Sequence, residues 1–110
     1  MADFMYLFRG AQQPGSPEQM QAHMQKWRAW IEELGKAGHF KSGEPLDRTG
    51  KVVTGKQKLV TDGPYAEAKD LVGGYLVVAA ETIAEAAELA KGCPIFENNG
   101  FVEVRPILKM

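Results

Sequence analysis

Cysteine occurs once, at Cys93, so no internal disulfide can form and the fold has to be held by its core. No apolar run approaches the roughly 20 residues that a helix needs to cross a bilayer. The start, Met1-Ala2-Asp3-Phe4, lacks the charged opening and apolar stretch of a secretory signal. Together these absences predict a reducing, cytoplasmic setting. An excess of charge is missing too: 13 Lys and Arg face 14 Asp and Glu, for a net charge of −1. A protein that binds nucleic acid concentrates basic groups to displace counterions. The densest set here, Lys51, Lys56 and Lys58, lies among β-forming residues and reads as a solvated strand face, so no direct nucleic-acid binding is expected. His23 and His39 stand without His-x-x-x-His or Cys-x-x-Cys spacing, so no metal site is expected. No phosphate loop or dinucleotide fingerprint is present, and no cofactor is expected.

What is present suits one domain over residues 1–110, with 45% hydrophobic and 25% charged residues. Phe4 to Arg9 reads as a strand, with Phe4, Tyr6 and Phe8 on one face and Met5 and Leu7 on the other. Ser16-Pro17-Glu18-Gln19 starts a helix: Ser16 caps, Pro17 fits the first turn and Gln19 completes a capping box. The apolar stripe Met20, Met24, Trp27, Ile31 and Leu34 carries that helix to about Ala37, where Gly35 and Gly38 mark the exit. Phe40–Pro45, Lys51–Thr54 and Gln57–Thr61 read as strands, and Asp62-Gly63-Pro64 as a stop. Residues 65–72 read as a loop or irregular crossover. Gly73–Ala80 is the run richest in β-formers. Thr82 and Glu85 open a second helix with Ile83, Ala86, Ala87 and Ala90 inward. Pro94–Asn99 reads as one helical turn, and Phe101–Leu108 as a last strand.

This order is a βαββαβ plan with an extra hairpin strand, which predicts an α+β, ferredoxin-like sandwich. Two helices cover one sheet face. The other face, expected to expose Phe and Tyr, would exceed what a monomer usually leaves open. Stacking two such sheets predicts a homodimer, a dimeric α+β barrel.

The run Asp62-Gly63-Pro64-Tyr65-Ala66-Glu67-Ala68-Lys69-Asp70 resembles the signature of the DGPF branch of the YCII-related family. Gly73-Gly74-Tyr75, Cys93-Pro94 and Val104-Arg105-Pro106 follow in that family's order, so the resemblance spans essentially the whole chain. It implies a dimeric ferredoxin-like domain. Most members have no established activity; some are associated with sigma factors of the extracytoplasmic-function type, and a distant relative dehydrochlorinates a hydroxylated aromatic. Members outside the DGPF branch carry a His–Asp pair proposed as catalytic. Counted back from Gly38, the histidine's position holds Trp27 and the partner's falls near Lys36, so the pair is absent in register. His23 lies one turn earlier.

Asp62 is the leading candidate for chemistry: a carboxylate at a strand end can act as a general base, or can simply cap its turn. His23 suits acid–base work or partly exposed packing. Trp27 fits the core or a pocket wall, while Trp30, off the stripe, suits a cleft or a dimer contact. Arg9 and Arg105 could hold a small anion or pair with Glu103 or Glu67. Tyr6 and Tyr75 could donate hydrogen bonds in a cleft or serve as interface aromatics. Cys93, between Gly92 and Pro94 with no adjacent histidine, is not expected to be reactive. A cleft is expected between the first helix and the Asp62 loop. Two functions follow: a small-molecule-binding or accessory module tied through the resemblance to transcription initiation, or a cofactor-free acid–base enzyme acting on a polar or aromatic metabolite.

Overall fold

A computed structural model describes residues 1–12, 15–63 and 70–110. The elements are β1 (Ala2–Arg9), α1 (Pro17–Lys36), β2 (Phe40–Pro45), β3 (Gly50–Thr54), β4 (Leu59–Gly63), β5 (Val72–Ala80), α2 (Ile83–Ala90), a 3-10 turn (Pro94–Asn98) and β6 (Phe101–Pro106). Four strands form an antiparallel sheet in the order β2-β5-β1-β6, which is the ferredoxin-like arrangement once the β3–β4 hairpin is set aside. No helix among the described residues is long and apolar enough to cross a membrane.

Alternation along β1 and β5 decides what lies under the helices. Phe4, Tyr6 and Phe8 of β1 and Leu76, Val78 and Ala80 of β5 are buried on one face. Trp30 and Leu34 of α1, Ala86 and Ala90 of α2, and Cys93 and Ile95 close over them. Tyr6 is fully buried, and its hydroxyl donates to the Ala86 carbonyl at 2.5 Å, which ties sheet to helix. The small residues Ala86 and Ala90 let α2 sit close to the strands. Both helix starts are capped as expected. The Ser16 hydroxyl accepts from the Gln19 N–H, and Thr82 from Glu85. Gln19 and Glu85 reach back one residue beyond the cap, to the N–H groups of Gly15 and Glu81.

Several expectations shift. The open sheet face carries Met5, Leu7, Tyr75 and Val77, paired across β1 and β5, so the Phe side chains of β1 are in the core and not on the exposed face. Ile83 and Ala87 are exposed, and Leu89 packs on the core instead. On α1 the stripe is displaced: Met20 and Met24 are 44% and 45% exposed, while Trp30 is core at 6%. Strand β4 runs through Asp62 to Gly63, because Lys51 and Gly50 of β3 stand opposite and continue the ladder. The β3–β4 hairpin forms its own two-stranded sheet. Most of the expected 65–72 crossover, and Pro64–Lys69 of the DGPF-like run, lie outside the described residues.

Candidate functional site

The helix-side face of the sheet runs short of side chains at one end. There Gly74 of β5 and Gly43 of β2 line the space beneath α1. The first half of α1 spans this gap without filling it, and a cavity of about 600 Å3 remains. Phe8, Trp27, Ile31, Leu76, Met20 and Met24 give it a mainly apolar wall. Its polar neighbours include His23, Asn98, Arg28 and Arg48. A few placed polar groups in an apolar concavity are the usual form of a small-ligand site.

Trp27 is held in this wall by two contacts. Its ring meets Phe8 edge-on at 4.8 Å between centroids, and its indole N–H donates to His23 Nε2 at 2.9 Å. An indole nitrogen can only donate, so Nε2 of His23 is the acceptor and the neutral ring carries its proton on Nδ1. Asn98 Nδ2 approaches the same Nε2 at 3.1 Å. Nδ1 faces Glu97 Oε2 at 3.9 Å, beyond hydrogen-bond range, while Glu97 itself pairs with Lys26 at 3.1 Å. His23 therefore stands in a partition. On one side is the apolar cavity; on the other is a polar cleft of about 410 Å3, bordered by Gln12, Gln19, Lys26 and Asn99.

The other candidates fall in different places. Asp62 does not line the cavity. Its side chain is 89% exposed on the β3–β4 hairpin and pairs with Lys51. An exposed pair of that kind contributes at most about 1 kcal/mol. Trp30 is a core residue, its indole N–H donating to the Leu89 carbonyl at 3.2 Å. Tyr75 borders the cavity, yet its pairing with Leu7 and Glu44 puts it in the alternation of the open face. Arg9 and Arg105 both turn to Glu103, at 2.8 and 3.9 Å, and Arg9 also donates to the Asp70 carbonyl at 2.8 Å. Sequence reasoning did not single out Arg28, Arg48 or Asn98. Only the fold brings α1, the β2–β3 connection and the 3-10 turn to one cavity. Among the described residues no group of His, Cys, Asp and Glu could hold a metal ion.

Cys93 is buried, and burial pushes its thiol up to about 12. Burial, with a smaller contribution from neighbouring Cys93, likewise raises Tyr6 to about 12. The ordinary values are 9.0 and 10.0, so between pH 9 and 12 the unfolded chain releases two protons that the native state retains. Stability is then expected to fall as pH rises through that window. Denaturant midpoints at pH 7, 9 and 10.5 would show a progressive decline, and a disulfide reagent should leave native Cys93 unmodified until the chain unfolds.

The model of the YCII-related domain matches residues 4–110. The chain belongs to the YCII-related domain family. No curated protein matches this YCII-related chain. Among solved structures it is similar to 5-chloro-2-hydroxyhydroquinone dehydrochlorinase from Burkholderia phenoliruptrix AC1100, in complex with 2,5-dihydroxybenzoquinone. The TM-score is 0.56 at 21% identity, over 98% of this chain and 95% of that one. At that identity the likeness speaks for the YCII-related fold.

Proposed function

We propose that this protein binds a small organic molecule in the cavity between α1 and the glycine-floored end of the sheet. The observation that carries the proposal is the cavity itself: about 600 Å3, mainly apolar, with polar groups at its edge. The similar dehydrochlorinase, which holds a small quinone, supports the same use of the fold. The binding reading is favoured over acid–base catalysis because the Nε2 lone pair of His23 is already taken by Trp27, and Asp62 is not at the cavity. The expected link to sigma factors finds no support in the fold or the relatives.

A thermal-shift screen of small aromatic and aliphatic metabolites tests this reading, since a ligand specific to the native state raises its melting temperature. Met24 is exposed and lines the cavity, so Met24→Trp should fill the space with little change in the melting temperature of the free protein. Hits that stabilise the wild type should lose their effect in this variant. Equal stabilisation of both proteins would place binding elsewhere.

We infer further that two copies pair through the sheet face of Met5, Leu7, Tyr75 and Val77, which neither helix covers. Burying such a face is a common reason for symmetric association. Light scattering at micromolar concentration should give about twice the 12.1 kDa chain mass, and Leu7→Lys should return a monomer. A monomeric wild type would rule the pairing out.

A further inference from the structure

The charged groups around the cavity are unevenly committed. Asp47 borders it, but its carboxylate accepts from the Thr49 N–H at 3.1 Å and the Thr49 hydroxyl at 3.2 Å. The Thr49 N–H, followed by its hydroxyl, holds that carboxyl below its usual range. Glu44 also borders the cavity, yet it pairs in register with Tyr75, whose alternation belongs to the open face; Gly43 and Pro45, paired with Leu76 and Gly74, are the β2 residues that look inward. Two guanidinium groups remain, Arg28 on α1 and Arg48 after β2. Both are exposed where the cavity meets solvent, and neither forms an ion pair among the described residues.

We propose that the ligand is an organic anion, its apolar body held among Phe8, Trp27, Met24 and Leu76 and its carboxylate, phenolate or sulfonate held by Arg28 and Arg48 at the mouth. This rests on the cavity reading above and adds a ligand class to it. The two arginines approach from different elements, one from a helix and one from a strand connection. In this proposal they meet the anionic group while the rest of the molecule lies against the aromatic wall. Arginine suits the task because its planar fork presents paired donors to an oxyanion.

The test is calorimetric titration of the wild type with 4-ethylbenzoate and with its neutral counterpart, 4-ethylbenzamide. The acid should bind about tenfold more tightly, a difference expected of charge-assisted hydrogen bonds at a partly exposed site. Added salt should narrow the gap, because exposed charges are screened. The double variant Arg28→Gln/Arg48→Gln should bring the acid down to the affinity of the amide. If acid and amide bind the wild type alike, the cavity reading stands and the anion preference falls. A preference for the acid that survives the double variant would overturn the assignment to these arginines. Failure of both compounds to bind would overturn the cavity reading as well.

Discussion

Trp30→Ala is expected to destabilise the protein by about 3–5 kcal/mol, the range for removing a buried aromatic and leaving part of its volume empty. The indole is 6% exposed and sits at the junction of sheet, α1 and α2. It stacks on Tyr6 at 6.1 Å and meets Phe8 and Trp27 edge-on at 6.1 and 5.8 Å. Its N–H satisfies the Leu89 carbonyl, and Gly92 leaves room for the ring: a Cβ there would stand 3.1 Å from two of its atoms. Domains of this kind are stable by only about 5–15 kcal/mol, so the loss is a large share of the total. Urea unfolding followed by circular dichroism would measure it. A loss below about 1 kcal/mol would mean that the ring is not the keystone its contacts describe. Trp27→Ala should cost less, because Trp27 is only partly buried, but it removes a wall of the cavity and should weaken any ligand found there.

The two tryptophans also show where sequence patterning stops. Of the stripe Met20, Met24, Trp27, Ile31 and Leu34, the second half packs on the core, with Leu34 buried and Trp27 and Ile31 partly buried, while the two methionines stay exposed. Trp30 stands four residues before Leu34 and shares its side of the helix, so the buried line is displaced toward these two. The methionines belong to the same apolar face, but what they meet is a cavity. Hydrophobic periodicity reports which side faces away from water and not whether anything fills the space opposite. The ferredoxin-like plan, both helix caps and the turn before β6 were legible because each rests on local chemistry. A cleft beside the first helix was expected, but not its position away from Asp62 or its floor, because these depend on glycines of two strands meeting a helix distant in sequence. Asp62 misled for a related reason. Asp-Gly-Pro reads as a stop, but Lys51 directly opposite supplies a cross-strand partner, and the ladder continues through Gly63.

Gly43→Ala should be the most damaging single-methyl change at a glycine of the main sheet, with an expected loss of about 1–3 kcal/mol or more from overpacking. By strand propensity alone, alanine at this position should improve on glycine. The packing reverses the sign. A Cβ on Gly43 would run into the Leu76 side chain and lie 2.5 Å from the Tyr75 carbonyl oxygen and 3.0 Å from the Leu76 Cα. Leu76 is 4% exposed and has little freedom to give way, and the other two atoms are backbone of the strand that β2 pairs with. Relief would require β2 to move off β5, which would open the floor of the cavity. Gly35→Ala provides the contrast within the same protein. Gly35 lies in α1 with nothing within 4 Å of a prospective Cβ, so alanine there should stabilise by about 0.5–1 kcal/mol through helix propensity. Denaturant midpoints should therefore move in opposite directions for the two variants. If Gly43→Ala folds as stably as the wild type, β2 does not pack on β5 as described, and a cavity floored by Gly43 and Gly74 would have to be abandoned with it.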